Sequence, residues 1–347
     1  MTPRVTDWGL AALVAALIVT GALTLFAGSP GDAWVYDVHD ALGAAIAVLL
    51  AFKVRRVWPR VKNGPAVISL VALGVVALTL ASGFLWSDGA TPAPAGYSLL
   101  SWHDALGAVL VVAVAGHMVL RARRVRARDL ASRRQFLVAS GIAAASFVAW
   151  RVQRPVESLL GLGGATRRFT GSYEAGSFAG NDFPTTSWVA DSPRAIDPAD
   201  YRLAVAGLVS TPLMLRLSEL LPDDELVATL DCTGGFYSTQ RWRGVSLARV
   251  LELAGASPQA RHVSVASVTG YRWSFGIDYA RELLLATQVG DEPLSHPHGA
   301  PVRLVVPGAR GFQWVKWVDR VVVNRDVDLG ATASTVWSSF TAAGQGS

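Results

Sequence analysis

Cysteine occurs once in 347 residues, at Cys232, so no internal disulfide can form. Charge is scarce as well: Asp, Glu, Lys and Arg supply 16% of the chain, against 51% hydrophobic residues. No group of Cys and His has the spacing of a zinc site. Regular strand–helix alternation with a phosphate-binding glycine fingerprint is missing, which argues against a nucleotide fold. A basic patch interleaved with aromatics is missing too, so nucleic acid is not an expected partner despite the net charge of +5. Much of the arginine falls instead in two short stretches beside apolar runs, the pattern of a membrane topology.

Apolar length is what the first half has in abundance. Four runs, about Trp8 to Phe26, Val35 to Phe52, Ala66 to Trp86 and Leu99 to Leu120, each have roughly the 17 to 25 residues that cross a bilayer core. The stretches "KVRRVWPRVKNG" at 53–64 and "RARRVRARDLASRR" at 121–134 are basic, whereas 28–34 and 87–97 contain no Lys or Arg. The positive-inside bias puts the N-terminus and both basic loops in the cytoplasm. Next, "SRRQFLVASGIAAASFVAW" at 132–150 is similar to a twin-arginine signal: adjacent arginines, a spacer, Phe-Leu and a mild apolar run. The similarity implies the twin-arginine translocase as a partner, a bacterial host and a cofactor inserted before export. An uncleaved fifth helix is expected. The chain would then be a multi-pass protein of the bacterial cytoplasmic membrane, in contact with the lipid bilayer, with everything after about 156 outside.

This half also repeats itself. "VYDVHDALGAAIAVLLAFKVRRVW" at 35–58 matches "LLSWHDALGAVLVVAVAGHMVLRARR" at 99–124, so the helices read as a duplicated hairpin. The repeat sets His39 and His103 at equivalent positions near the outer ends of their helices. Ionisable groups within spans are costly and therefore functional candidates. Two neutral imidazoles at one depth can clamp the iron of a single b-type haem. His117 follows His103 by 14 residues, within about 40° of the same helix face and ~21 Å further along the axis. Its duplicate position is Lys53, so an inner haem would lack a second imidazole. One outer haem is expected, with His117 a weaker third ligand candidate. The bundle resembles small b-type cytochrome membrane subunits.

Beyond a Gly-containing linker at 156–170, the pattern changes to that of a soluble α+β domain. "YRLAVAGLV" (201–209), "RHVSVASV" (261–268), "APVRLVVPG" (300–308) and "VDRVVVNRD" (318–326) read as strands. "LSELLPDDELVATL" (217–230) and "SLARVLELAGA" (246–256) have apolar residues at helical spacing and read as helices. "LDCTGGFYSTQRWRGVSLARVLELAGA" and "HGAPVRLVVPGARGFQWVKWVDRVVV" together resemble the molybdopterin-binding domain of the sulfite oxidase family, over roughly 180–325. That family includes the catalytic subunit of the periplasmic methionine sulfoxide reductase.

The resemblance implies a set of roles. Cys232 stands where the family's cysteine gives a thiolate to molybdenum, a soft ligand suited to that metal, and it is the expected catalytic residue. His298 and Arg303 match a pterin-contacting pair. Trp314, Val315 and Lys316 match a segment whose backbone and lysine hold the cofactor. Thr269, and more loosely Asn181 and Thr185 of "NDFPTT", match further pterin contacts. Sulfite oxidase has an arginine five residues after its cysteine; here that residue is Tyr237, which leaves Arg241, Arg243 or Arg272 to build any anion pocket. Neither that enzyme's C-terminal dimerisation domain nor its amino-terminal haem domain is expected, the membrane haem replacing the latter.

The expected architecture is thus an all-α transmembrane four-helix bundle at 1–131, a signal and fifth helix at 132–155, and an extracytoplasmic sulfite oxidase-like domain at 156–347. The expected function is a molybdopterin-dependent oxidoreductase. It would exchange oxygen atoms or two electrons with a small-molecule substrate, coupled to haem b and the quinone pool or another membrane redox partner. Sulfoxide reduction is the first expectation. Oxidation of a small substrate such as sulfite, or non-catalytic membrane electron transfer, are the alternatives.

Overall fold

The computed structural model describes residues 3–61, 67–121, 133–186 and 193–331. The chain divides into two compact units, Met1–Tyr173 with Thr233–Gly235, and Glu174–Cys232 with Phe236–Ser347.

The first unit is helical: α1 Pro3–Thr24, α2 Ala33–Val61, α3 Val67–Ser87, α4 Leu99–Arg121 and α5 Arg133–Leu160. Each contains a segment long and apolar enough to cross a membrane. Val14, Ile46, Val76 and Leu110, one from each of α1 to α4, form a buried cluster. Large apolar side chains such as Val112, Val119, Phe136 and Phe147 remain exposed. Such a surface is unfavourable in water and suits lipid contact. Lys53 pairs with Asp7 of α1 at 2.9 Å, so the duplicate of His117 is engaged in an ion pair. The basic loop residues 62–64 and 122–132 lie outside the described residues. Where a linker was expected from 156, α5 continues to Leu160 despite Pro155, which cannot donate a backbone hydrogen bond. Gln153 Nε2 donates to Glu157 Oε1 at 2.8 Å, a one-turn pair that supports the helix across the proline.

The second unit is α+β. Its strands are β1 Arg202–Gly207, β2 Leu213–Arg216, β3 Asp224–Asp231, β4 Phe236–Ser246, β5 His262–Ser267, β6 Arg272–Gly276, β7 Leu284–Val289, β8 Glu292–Pro293, β9 Arg303–Val305 and β10 Val318–Asn324. One sheet has the order β2–β1–β10–β5–β6, with β1 and β10 parallel and the other pairs antiparallel. In the other sheet β3, β4, β7 and β9 pair antiparallel in succession, with β8 beside β7. The helix α6, Leu247–Leu253, begins at Ser246, whose hydroxyl accepts from the Arg249 N–H.

Residues 217–230 are not a helix. They form one 3-10 turn at Leu217–Glu219 and then β3. Pro222 interrupts the helical spacing. Beyond it, Leu226, Ala228 and Leu230 alternate with Val227 and Thr229, and the Ala228 and Leu230 side chains are buried while Val227 is exposed. That is the period of a strand with one face covered. Register with β4 then sets Asp231 opposite Tyr237 and leaves Cys232 just beyond the strand end.

Candidate active site and membrane histidine pair

Cys232 is buried where β3 ends, and its N–H donates to Phe236 O at 2.8 Å, closing the turn into β4. Gly311, in the turn that follows β9, packs on its backbone. A Cβ there would lie 3.0 Å from Cys232 Cα, so any side chain would have to push the cysteine's backbone aside by a few tenths of an ångström. The turn is anchored by Arg310, whose Nη1 donates to Asp231 Oδ1 at 2.6 Å, both side chains being almost fully buried. Thr186 Oγ1 lies 3.1 Å from Cys232 Sγ.

Arg303 enters from β9 and is 2% exposed. One guanidinium nitrogen donates to His298 O at 3.0 Å, and the group faces the rings of Trp242 and Trp314 at 5.3 and 5.6 Å. Its Nε is buried without a hydrogen-bond partner. Among the described residues no carboxylate forms an ion pair with it. Burial pulls its pKa down to about 10, attraction to Cys232 opposes this, and the group remains a cation at neutral pH.

His298 is buried beside Phe183, ring centres 4.0 Å apart. Its Nε2 lies 3.0 Å from Phe183 O and its Nδ1 2.7 Å from Ser295 Oγ. A carbonyl can only accept, so Nε2 carries the proton and Nδ1 accepts from the serine hydroxyl. Burial lowers the pKa to about 4, which keeps the ring neutral. Lys316 Nζ donates to Thr186 O and Pro297 O, each at 2.7 Å. Trp314 and Val315 are buried, and Val315 O accepts from the Leu304 N–H at 2.8 Å.

Cys232, His298, Arg303, Trp314 and Lys316 are therefore linked through one network of contacts. Asn181 serves that network from behind: its side chain donates to Pro293 O at 2.9 Å and accepts from Ser295 N at 2.8 Å. Thr185 is exposed, and the hydroxyl that reaches the sulfur belongs to its neighbour Thr186. Thr269 sits in the β5–β6 turn, bonded to Ser267, and that turn reaches Phe312 through the Tyr271 hydroxyl. Of the arginines that were to replace the missing one at 237, Arg243 pairs with Glu225 at 3.9 Å and Arg272 with Asp328 at 2.6 Å. Sequence reasoning missed Thr186, Phe183, Trp242 and the Asp231–Arg310 pair.

The donor set fits an anionic cofactor that takes a thiolate ligand. A thiol lies near a buried cation, one nitrogen of that cation has no protein partner, and Trp314 Nε1 is likewise buried without one. Among the described residues no group of three or more His, Cys, Asp or Glu could itself enclose a metal ion.

The first unit holds a second candidate site. A cavity of about 750 Å³ is lined by His39 and His103, with Asp40, Trp86 and Arg167 among its other walls, and His117 does not contribute. The two imidazoles have ring centres 6.1 Å apart and planes at 80°. His103 Nδ1 lies 2.9 Å from Thr79 O, so Nδ1 carries the proton. His39 Nδ1 lies 2.8 Å from Thr20 Oγ1, which also reaches Ala16 O at 2.9 Å; when the threonine proton is on that carbonyl, Nδ1 donates here too. Both rings then keep the Nε2 lone pair, the arrangement of metal-ligating histidines. An imidazole nitrogen binds a metal at about 2 Å. Two rings held by one ion would have centres about 6 Å apart, near the observed separation.

Comparison with known proteins bears on the second unit. Residues 189–331 match the family model described as "Oxidoreductase molybdopterin binding domain". The chain is 35% identical to sulfite oxidase of Gallus gallus over 38% of its own length and 36% of that protein. It is 31% identical to inducible nitrate reductase [NADH] 2 of Glycine max over 37% of its length and 18% of that protein. Among solved structures, it is similar to the sulfane dehydrogenase SoxCD of Paracoccus pantotrophus, with 28% identity over 38% of this chain and 40% of that one, and a TM-score of 0.37. The chain thus spans little more than a third of that sulfite oxidase and less than a fifth of that nitrate reductase. The second unit carries an oxidoreductase molybdopterin-binding domain. More particularly, that domain is similar to the corresponding parts of sulfite oxidase and nitrate reductase.

Proposed function

We propose that the chain is a membrane-anchored, molybdenum-dependent oxidoreductase whose second unit works outside the cytoplasm and exchanges electrons with a haem b in the helical unit and with the quinone pool. The carrying observation is the buried Arg303 cation near the Cys232 sulfur, with one of its nitrogens left for an anionic group. Cys232 would ligate molybdenum. Arg303, His298, Lys316 and Trp314 would hold the pterin. When bound, that group supplies two-electron or oxygen-atom transfer.

The residues themselves bind and orient. Arg303 offers a desolvated positive charge, stronger there than in water. His298, held neutral, offers no competing charge. The Arg310–Asp231 pair fixes the turn against the cysteine. In the first unit, His39 and His103 would hold the iron of haem b, with their Nδ1 atoms turned to Thr20 Oγ1 and Thr79 O.

Reduction of a neutral oxide such as a sulfoxide is the favoured direction. Tyr237 removes one positive charge that the resemblance leads one to expect, and Arg243 and Arg272 are engaged by Glu225 and Asp328. The similarity to sulfite oxidase supports the second reading, oxidation of a small anion. Molybdenum, pterin and haem analysis of the purified chain, followed by turnover with reduced and oxidised dyes, tests the proposal. Sulfoxide-dependent oxidation of a reduced dye is expected. Sulfite-dependent reduction of an oxidised dye without sulfoxide turnover would reverse the direction, and absence of molybdenum would end the proposal.

A further inference from the structure

We infer that Thr186 is a positioning residue for the metal site: its hydroxyl donates to the Cys232 thiolate and raises the reduction potential of the centre. The inference rests on Cys232 being the molybdenum ligand. Thr186 Oγ1 lies 3.1 Å from Sγ. A metal-bound thiolate carries no proton, so in that state the hydroxyl is the donor.

The backbone that presents this hydroxyl is held at several points. Asn181 N donates to Glu292 Oε1 at 2.9 Å, and its side chain bonds Pro293 O and Ser295 N. His298 Nε2 donates to Phe183 O at 3.0 Å. Lys316 Nζ binds the carbonyl of Thr186 itself, and with it Pro297 O in the turn that carries His298. One ammonium therefore ties the hydroxyl-bearing residue to the segment that holds the pterin-contacting histidine. A β-branched side chain on a backbone fixed in this way has few rotamers, so its hydroxyl stays at the sulfur. Hydrogen bonds to ligating sulfur are one of a protein's levers on metal potentials. Drawing electron density from the thiolate favours the electron-rich, reduced metal, which sets the sign of the effect.

Thr186→Val removes the hydroxyl at nearly constant shape, and Thr186→Ser keeps it. The full-length chain is titrated with mediators while the paramagnetic molybdenum state is followed by EPR, and molybdenum and pterin are quantified in parallel. Thr186→Val should shift the potential downward, and Thr186→Ser should stay near the wild type. EPR reads only loaded protein, so the comparison holds even if a variant carries less cofactor. Equal potentials in loaded wild type and Thr186→Val would overturn the inference alone. Wild type without molybdenum would overturn both the inference and the ligand reading beneath it.

Discussion

Arg310→Met tests the account where fold and site meet. Arg310 Nη1 and Asp231 Oδ1 are 2.6 Å apart, with side chains 4% and 1% exposed. Removing one partner of a buried pair leaves the other charge in a poorly solvating interior, which costs about 3–5 kcal/mol. The methionine retains much of the arginine's apolar stem, so little of the loss is packing. Asp231→Leu with Arg310→Met removes both charges and should recover most of the stability, because an apolar replacement of a buried pair is often close to neutral. The assay is urea unfolding followed by the fluorescence of the second unit's buried tryptophans Trp242, Trp273, Trp314 and Trp317. Gly311 packs on Cys232 next to this pair, so the single variant should also lower molybdenum content. A single variant within about 0.5 kcal/mol of the wild type, or a double variant weaker than the single, would refute the reasoning.

The pKa of His298 falls from 6.5 to about 4 in the folded protein. The unfolded chain therefore binds the extra proton between those values, and stability is full above about 6.5 and declines as pH falls toward 4, by on the order of 2 kcal/mol once solvent at the ring edge is allowed for. Melting curves from pH 7.5 to 4.5 should show the decline, and His298→Gln should flatten it. At Gly83 a Cβ would sit 2.9 Å from His103 Cε1, whereas at Gly74 it would meet nothing within 4 Å. Gly83→Ala should displace the imidazole and lower the haem content of purified membranes, read by its reduced-minus-oxidised spectrum, while Gly74→Ala should not. Equal haem in both variants would contradict the His39–His103 assignment.

Much of the domain was legible because its signals are local. The apolar runs at 8–26, 35–52, 66–86 and 99–120 fall within α1 to α4 apart from a residue or two at their ends, and β1, β5, β9 and β10 lie inside the four stretches read as strands. Residues 217–230 misled because Leu217, Leu220 and Leu221 match a helical spacing before Pro222, while the strand pattern starts only after it. Within the site, Cys232 stood out as the sole cysteine, and His298, Arg303 and Lys316 through a long motif. Thr186, Phe183 and Trp242 did not, because they meet their partners across 46 to 115 residues of chain. No periodicity encodes such contacts. The Asp231–Arg310 pair, 79 residues apart, was hidden for the same reason.

X-ray absorption at the molybdenum edge tests the central claim most directly, on the purified full-length chain and on Cys232→Ser. The account predicts molybdenum in the wild type, with one more sulfur in its coordination shell than in the variant. Identical sulfur coordination in the two proteins, or a wild type without molybdenum, would contradict it.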